Sequence, residues 1–357
     1  MKQLFYIKSA STISPQHSFE QEQFLQPLAS SNDNKLHIID IDYSKFISPV
    51  AIRRMSHLLK IGISSGMQAL RDAHIEQPDG IITGTSHGSK LDMEHFVKDL
   101  ITLNEEALNP TYFIQSTYNS VNGWLAMQSK CTGYNQTYVH RGASFEMALF
   151  DACMMLNEAE KPEHYLVGGF DELTDDYFII KSKVDYWKKA PVNSLELISK
   201  TDTAGTIAGE GSSFFVVSNE ESNALCSIAG IKMLQNPNEE TLRKAVDELL
   251  QQNNLNKSDI DVLLAGMNGD ANAQELYTPI IETTAPQTSI ATFKHLCGEY
   301  ETATGFALWL ACQLITRQEV PEAIMYRKGS NNKIKYVLIL NHSVFRNVSL
   351  TLVKALN

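Results

Sequence analysis

Thr137-Tyr-Val-His-Arg-Gly-Ala-Ser144 is the stretch on which the reading of the fold turns. Residues 136–139 read as a short apolar strand, a tight turn follows, and a helix starts near Ala143. Such a turn aims one side chain at the positive N-terminal end of a helix, which lowers a thiol's pKa and stabilises negative charge on a bound group. Here the aimed residue is Gly142, so the shape is expected to persist without the reactive group.

The pattern extends outward in both directions. A helix over 143–158 carries Phe145, Met147, Ala148, Leu149, Phe150, Ala152, Met154, Met155 and Leu156, apolar on nearly every side. Such a helix belongs inside a large body. It leads to a strand at 165–167 and to Gly168-Gly169-Phe170-Asp171-Glu172. Upstream, Met55, Leu58, Leu59, Met67 and Leu70 recur at helical spacing over 53–74. Gly62 and Gly66, four apart in that helix, predict close backbone packing rather than a break. A strand at 80–83 then ends in the glycine-rich Gly84-Thr85-Ser86-His87-Gly88. After Phe214 the theme repeats, with strands at 214–217, 262–265 and 336–341 and helices at 239–251 and 302–315. This alternation is the pattern of an α/β fold. Two similar halves, 1–213 and 214–357, each hiding a central helix, predict a layered α/β/α/β/α body.

Composition narrows the function classes. The 357 residues carry a formal net charge of −11, with 43% hydrophobic and 20% charged residues. That balance is ordinary for a globular protein and disfavours general binding to nucleic acid or anionic membranes. No apolar run reaches the length of about 18 residues that a membrane span needs. The opening Met-Lys-Gln-Leu-Phe-Tyr-Ile-Lys reads as a first strand rather than a signal peptide. Cys131, Cys153, Cys226, Cys297 and Cys312 are dispersed, with no CxxC and no metal-like spacing. Reduced thiols, a cytoplasmic location, no metal and no cofactor are the expectation.

Several segments, in order, resemble the β-ketoacyl-ACP synthases, condensing enzymes of the thiolase fold. Arg53-Arg54-Met55-Ser56 with its following helix, and the strand-loop 81–88, resemble that family's N-terminal portion. Asn109-Pro110 through Asn119-Ser120-Val121-Asn122-Gly123 resembles the segment before the nucleophile. Gly133 to Ser144 is similar to the nucleophile elbow, and Leu166-Val167-Gly168-Gly169 to the strand after the buried helix. The most specific segment is Gly205-Thr-Ile-Ala-Gly-Glu-Gly-Ser-Ser213, similar to the family's G-x-x-x-G-E-G-[AS] loop.

The resemblance implies a cysteine that takes the acyl chain as a thioester, and two histidines that assist decarboxylation and stabilise the developing oxyanion. The cysteine position falls on Gly142. The first histidine position, in Leu263-Leu-Ala-Gly-Met-Asn-Gly-Asp270, falls on Asn268. In the K-x-x-x-G-H pattern, Lys294 and Gly298 are kept and the histidine is replaced by Glu299. Lys294 is then expected to be a retained structural partner facing Glu299. The family's glycine-rich loop before the last strand corresponds to the shorter Asn341-His-Ser-Val-Phe-Arg-Asn347. Val344, Phe345 and Arg346 are expected to fill space that an active member leaves open.

Other residues bear on residual chemistry. Cys153 lies deep in the buried helix and reads as an inert core thiol. Cys297 adjoins the second altered position and, with His295, offers the one route to an active synthase or acyltransferase; a packing thiol is the plainer reading. Ser144 reads as a cap, and His140 and Arg141 as structural or interface residues. Lys181, Lys183, Lys188 and Lys189 form a basic run that would suit an acidic acyl carrier protein, or a solvated surface.

The resulting expectation is a chain-length-factor-like subunit without its own Cys-His-His set. Such a subunit partners an active ketosynthase in fatty acid, polyketide or aryl-polyene-type biosynthesis. The alternatives are an active 3-oxoacyl-ACP synthase using non-standard residues, and a homodimer that binds acyl groups or carrier protein without a synthase partner.

Overall fold

A computed structural model of the chain describes residues 4–20, 24–343 and 346–356. Its first elements are β1 (Phe5–Ile13), β2 (Lys35–Leu36), α1 (Pro49–Ile52), α2 (His57–Asp72), β3 (Gly80–Gly84), α3 (Lys90–Thr102), α4 (Pro110–Gln115) and α5 (Ser120–Ser129). Next come β4 (Tyr134–Tyr138), α6 (Ser144–Glu158), β5 (His164–Asp171), α7 (Asp175–Ser182), β6 (Ala208–Gly209) and β7 (Gly211–Ser218). The remainder runs β8 (Cys226–Gln235), α8 (Glu239–Gln251), β9 (Val262–Ala265), α9 (Gln274–Thr283), β10 (Ser289–Thr292), α10 (Lys294–Cys297), α11 (Thr304–Arg317), β11 (Met325–Arg327), β12 (Tyr336–His342) and β13 (Asn347–Lys354).

Eleven strands are hydrogen-bonded in the order β11-β10-β9-β12-β13-β8-β1-β7-β5-β3-β4. The order contains the same motif twice. β1 pairs antiparallel with β7, β7 antiparallel with β5, and β5, β3 and β4 run parallel. β8, β13, β12, β9 and β10 repeat those directions in the same chain sequence. β1 and β8 join the two sets through a short antiparallel pairing. The strand Gly211–Ser218 runs across the boundary expected at 213/214 and pairs only within the first set, so the repeat of strand order begins at β8.

Three apolar clusters give the layers. α2 and α5 pack outside the first strand set around Leu58, Ile61, Val121, Leu125 and Phe214. α6 and α11 fill the middle, where Phe145, Leu149, Phe306 and Leu310 meet Val167 and Ile339 from the two strand sets. α8 covers the far side through Leu242, Val246 and Leu249, with Tyr277 and Ile280 of α9. Strands covered on both faces read as continuous apolar runs, and every residue of β7 and β9 is buried. A β-carbon on Gly62 would stand 2.8 Å from Val121, and one on Gly66 2.7 Å from Leu125. Those two glycines let α2 and α5 approach.

Helix starts follow local chemistry. Asn109 accepts a hydrogen bond from the Thr111 amide with Pro110 at the first helical position, and Asn238 and Thr174 cap α8 and α7. Among the described residues no helix is long and apolar enough to cross a membrane.

Candidate functional site

β4 ends in the turn Arg141–Ala143, and α6 starts at Ser144, as the elbow reading requires. Arg141 takes the left-handed conformation at φ 49°. The Ser144 hydroxyl closes the turn, accepting from the His140 amide at 2.8 Å and donating to the Arg141 carbonyl at 2.7 Å. Gly142 is buried at the positive end of the fifteen-residue α6. The space a side chain would occupy is taken: a β-carbon on Gly142 would overlap the hydroxyl oxygen and β-carbon of Ser343, well inside 3.0 Å. Ser343 is itself buried, and its oxygen has no hydrogen-bond partner among the described residues. The elbow is therefore both without a nucleophile and blocked.

The other two altered positions touch each other. Asn268 Nδ2 donates to Glu299 Oε2 at 2.7 Å, and Lys294 Nζ stands 2.8 Å from each Glu299 oxygen. A further bond runs from Lys294 to the His342 carbonyl at 2.7 Å, one residue before Ser343. All three side chains are at most 3% exposed. Burial pushes the Glu299 carboxyl above its usual value, against the pull of Lys294 and Asn268. Asn268 is further fixed by the Asp270 amide on its Oδ1 and by the Thr206 hydroxyl on its carbonyl. The three Lys294 donors are all committed, to the two Glu299 oxygens and the His342 carbonyl, so the group holds loops together.

Cys297 and His295 do not form a substitute pair. Cys297 lies in the apolar middle layer with its thiol against the Gly298 carbonyl at 3.4 Å, and burial pushes its pKa far up. His295 Nε2 is bonded to the Ala323 carbonyl at 2.8 Å, and burial pushes its pKa down to about 4. Cys153 is buried likewise and its thiol pKa is raised.

Of the tail residues expected to fill the acyl space, Val344 and Phe345 lie outside the described residues. Arg346 is exposed, with φ 57°, and lines a cavity of about 370 Å³ with His342, Ser343, Asp270 and Glu275. Ser343, which the sequence did not single out, is the described residue that fills the elbow. The basic run also needs correction. Lys188 is buried, and its Nζ holds the carbonyls of Lys200, Thr203 and Gly269, the last at 2.7 Å, so it braces the Asn268 loop instead of facing a partner. Lys181 lies over the Tyr186 ring at 4.3 Å, whereas Lys183 and Lys189 are exposed, Lys189 pairing with Asp185 at 3.2 Å.

A buried acidic group that the sequence reading missed ties the Gly84–Gly88 loop to the loop before α11. Asp171 accepts from the Ser86 and Thr302 amides, at 2.8 and 3.1 Å. Burial and the neighbouring Glu301 push its carboxyl up to about 6.

At one end of the sheet, β4 pairs on one side with β3. Its neighbours Phe113, Tyr118, Met93 and Val139 line a groove of about 570 Å³ without a charged residue. Phe150 and Met154 of α6 are exposed as well.

Known structures share this fold. The ishigamide ketosynthase/chain length factor superposes with a TM-score of 0.79 at 15% identity, covering 100% of both chains. A type II PKS ketosynthase bound to the hexaketide, in complex with its acyl-carrier protein, gives 0.76 at 15% identity, covering 99% of this chain and 100% of that one. A β-ketoacyl synthase from Burkholderia phymatum gives 0.77, also at 15% identity and over 99% and 100% of the two chains. No curated protein sequence matches the chain. Residues 26–210 match the family model of the β-ketoacyl synthase N-terminal domain, a range that contains the elbow and ends at Glu210. The thiolase-like architecture expected from the sequence is thus the observed one, and the chain belongs to the β-ketoacyl synthase family.

Proposed function

We propose that this chain is a non-catalytic, chain-length-factor-like subunit that partners an active ketosynthase in fatty acid, polyketide or aryl-polyene-type biosynthesis. The observation that carries the reading is the blocked elbow: Gly142 supplies no nucleophile and Ser343 fills its place. The Asn268–Glu299–Lys294 group supports it, since the three Lys294 donors are all committed and neither 268 nor 299 carries an imidazole.

The unpaired side of β4 suits the partner role. An exposed edge strand flanked by apolar side chains is a liability unless another chain covers it. Pairing across such an edge would extend the sheet into the synthase and set the uncharged groove beside it. The same edge could join two copies of this chain, and the homodimer is the second reading. Within the basic run, Lys183 and Lys189 are the exposed members that could meet an acidic carrier protein.

Co-expression with a ketosynthase encoded beside it, followed by sizing, tests the partnership. A one-to-one complex supports the reading, and a stable homodimer that ignores the synthase overturns it. Incubation with acyl- and malonyl-carrier protein, followed by intact mass, tests the chemistry. An acyl adduct on the isolated chain would contradict the non-catalytic assignment.

A further inference from the structure

Three segments far apart in sequence converge on one buried carboxylate. Glu210, 2% exposed, accepts the Leu173 amide at 2.9 Å from the loop after β5, and the Ile38 amide at 3.2 Å. The His37 ring nitrogen Nδ1 lies 3.2 Å from one of its oxygens, and His57, the first residue of α2, places Nε2 3.5 Å from the other. Residues 37–42 have no regular structure and form a strap. At one end β2 pairs with β6, and at the other Ile47 is buried in the core around α2. Between those anchors the strap is held by Glu210 and by the Ile39 amide on the Ser14 carbonyl. Beside it lies a cleft of about 480 Å³ reached by His37, His57, Glu172 and Glu210.

We propose that Glu210 with His37 and His57 is a proton-operated latch, which holds the 37–42 strap over this cleft when the imidazoles are charged and loosens it when they are neutral. The inference does not depend on a synthase partner.

The charges around the latch set the direction. His37 faces Glu210, with Lys35 and Asp33 of its own segment nearby, and Lys35 is occupied by Asp175 of α7 at 2.7 Å. His57 faces Glu210, Glu172 and Asp40. From α3, Glu94, His95 and Lys98 line the cleft, and from α7, Asp175 and Asp176. The hydrogen bond to Glu210 holds the His37 proton above its usual value. For His57, burial works against the charge, but Glu210 outweighs it and the net shift is upward. Glu210, opposed by burial yet hydrogen-bonded to the His37 ring and faced by His57 at 3.5 Å, is held well below the usual carboxylate range. Groups with raised folded pKa values add stability below their unfolded values and lose it as pH rises through the folded ones. Burial raises Glu172 to about 7, and once ionised it faces His57 and favours the charge on that ring. The latch is therefore firmest between the carboxylate range and about pH 6.5, and weakens above it.

Hydrogen exchange read by mass spectrometry on the full chain tests this, using the peptide covering 37–42 and rates corrected for intrinsic pH dependence. Protection in the wild type should fall as pH rises from 6 to 8.5, because both imidazoles lose their protons over that range. In the His37→Gln, His57→Gln double variant the profile should be flat. Glu210→Gln should lower protection at every pH. If that variant fails to fold, His37→Gln alone decides, because its half-exposed ring can be replaced without opening the core. A wild-type profile that stays flat, or an unchanged slope in the histidine variants, overturns the latch.

Discussion

Replacing Gly142 by alanine drives a β-carbon into the hydroxyl oxygen and β-carbon of Ser343. Ser343 cannot swing freely. Its amide donates to the Asn347 carbonyl at 2.9 Å, and its carbonyl accepts the Arg346 amide at 2.8 Å, so its backbone is fixed between β12 and β13. Relief needs an off-rotamer serine or a shift of that turn, and overpacking of this kind costs about 1–3 kcal/mol. Gly142 is outside the left-handed region, so loss of glycine's freedom in the unfolded chain works the other way by about 0.4–1 kcal/mol. The expected net loss is about 1–2 kcal/mol in urea unfolding followed by circular dichroism. Ser343→Gly removes both opposing atoms, so the double variant should recover at least half of the loss, giving a coupling energy of about 1 kcal/mol in a double-mutant cycle. Gly142→Cys should show the same clash and no condensation activity, since Asn268 and Glu299 remain. A Gly142→Ala protein as stable as the wild type, or additive single effects with Ser343→Gly, would refute the claim that Ser343 occupies the elbow.

Three further outcomes are expected. Glu299→Gln and Lys294→Met should each cost about 3–5 kcal/mol by leaving a buried charge unpaired, while the Lys294→Met, Glu299→Leu pair costs well under their sum; chemical denaturation checks this, and additivity would show the ions to be independent. His295, held neutral with its pKa near 4 against about 6.5 when unfolded, contributes stability above pH 6.5 that is lost as pH falls towards 4, about 3 kcal/mol in all; His295→Asn should flatten that part of the stability-pH curve. Lys183→Glu with Lys189→Glu should weaken carrier-protein binding in a salt-dependent way without changing the melting temperature, whereas Lys188→Ala should lower that temperature through the Gly269 loop.

Local patterns made much of the fold legible. α8 and β9 fall on the expected residues because an amphipathic stripe with an asparagine cap, and a short apolar run, each carry their own boundaries. β5 runs four residues past the strand expected at 165–167, through Gly168-Gly169-Phe170-Asp171. Glycines that resemble a turn in sequence are strand residues here, because a side chain on Gly168 would collide with the Phe214 ring and one on Gly169 with Phe145. The aromatic partners come from β7 and α6, beyond the reach of any local signal. Lys188 was misread for the same reason. Four lysines near one another in sequence look like one patch, yet the carbonyls that take Lys188 inward belong to residues 200, 203 and 269. The latch histidines carried no sequence signal at all, since His37, His57 and Glu210 meet only through the fold.

Gly142, Asn268 and Glu299, the positions that the family resemblance makes catalytic, were read from separate segments, but they are linked in space. Glu299 would be an uncompensated buried anion without Lys294, and Lys294 reaches the carbonyl of His342, the residue that places Ser343. Asn268 contributes a neutral donor to the same carboxylate. A histidine at 268 or 299 would therefore do more than supply an imidazole. It would displace a bonded partner and leave Lys294 or Glu299 with buried charge to satisfy, at a cost larger than a hydrogen bond returns. The Ser343 overlap closes the elbow from the other side. Reversing Gly142, Asn268 or Glu299 singly should thus lower stability before it yields any chemistry. Only a combined change that includes Ser343 gives a restored cysteine room and a histidine an uncommitted environment.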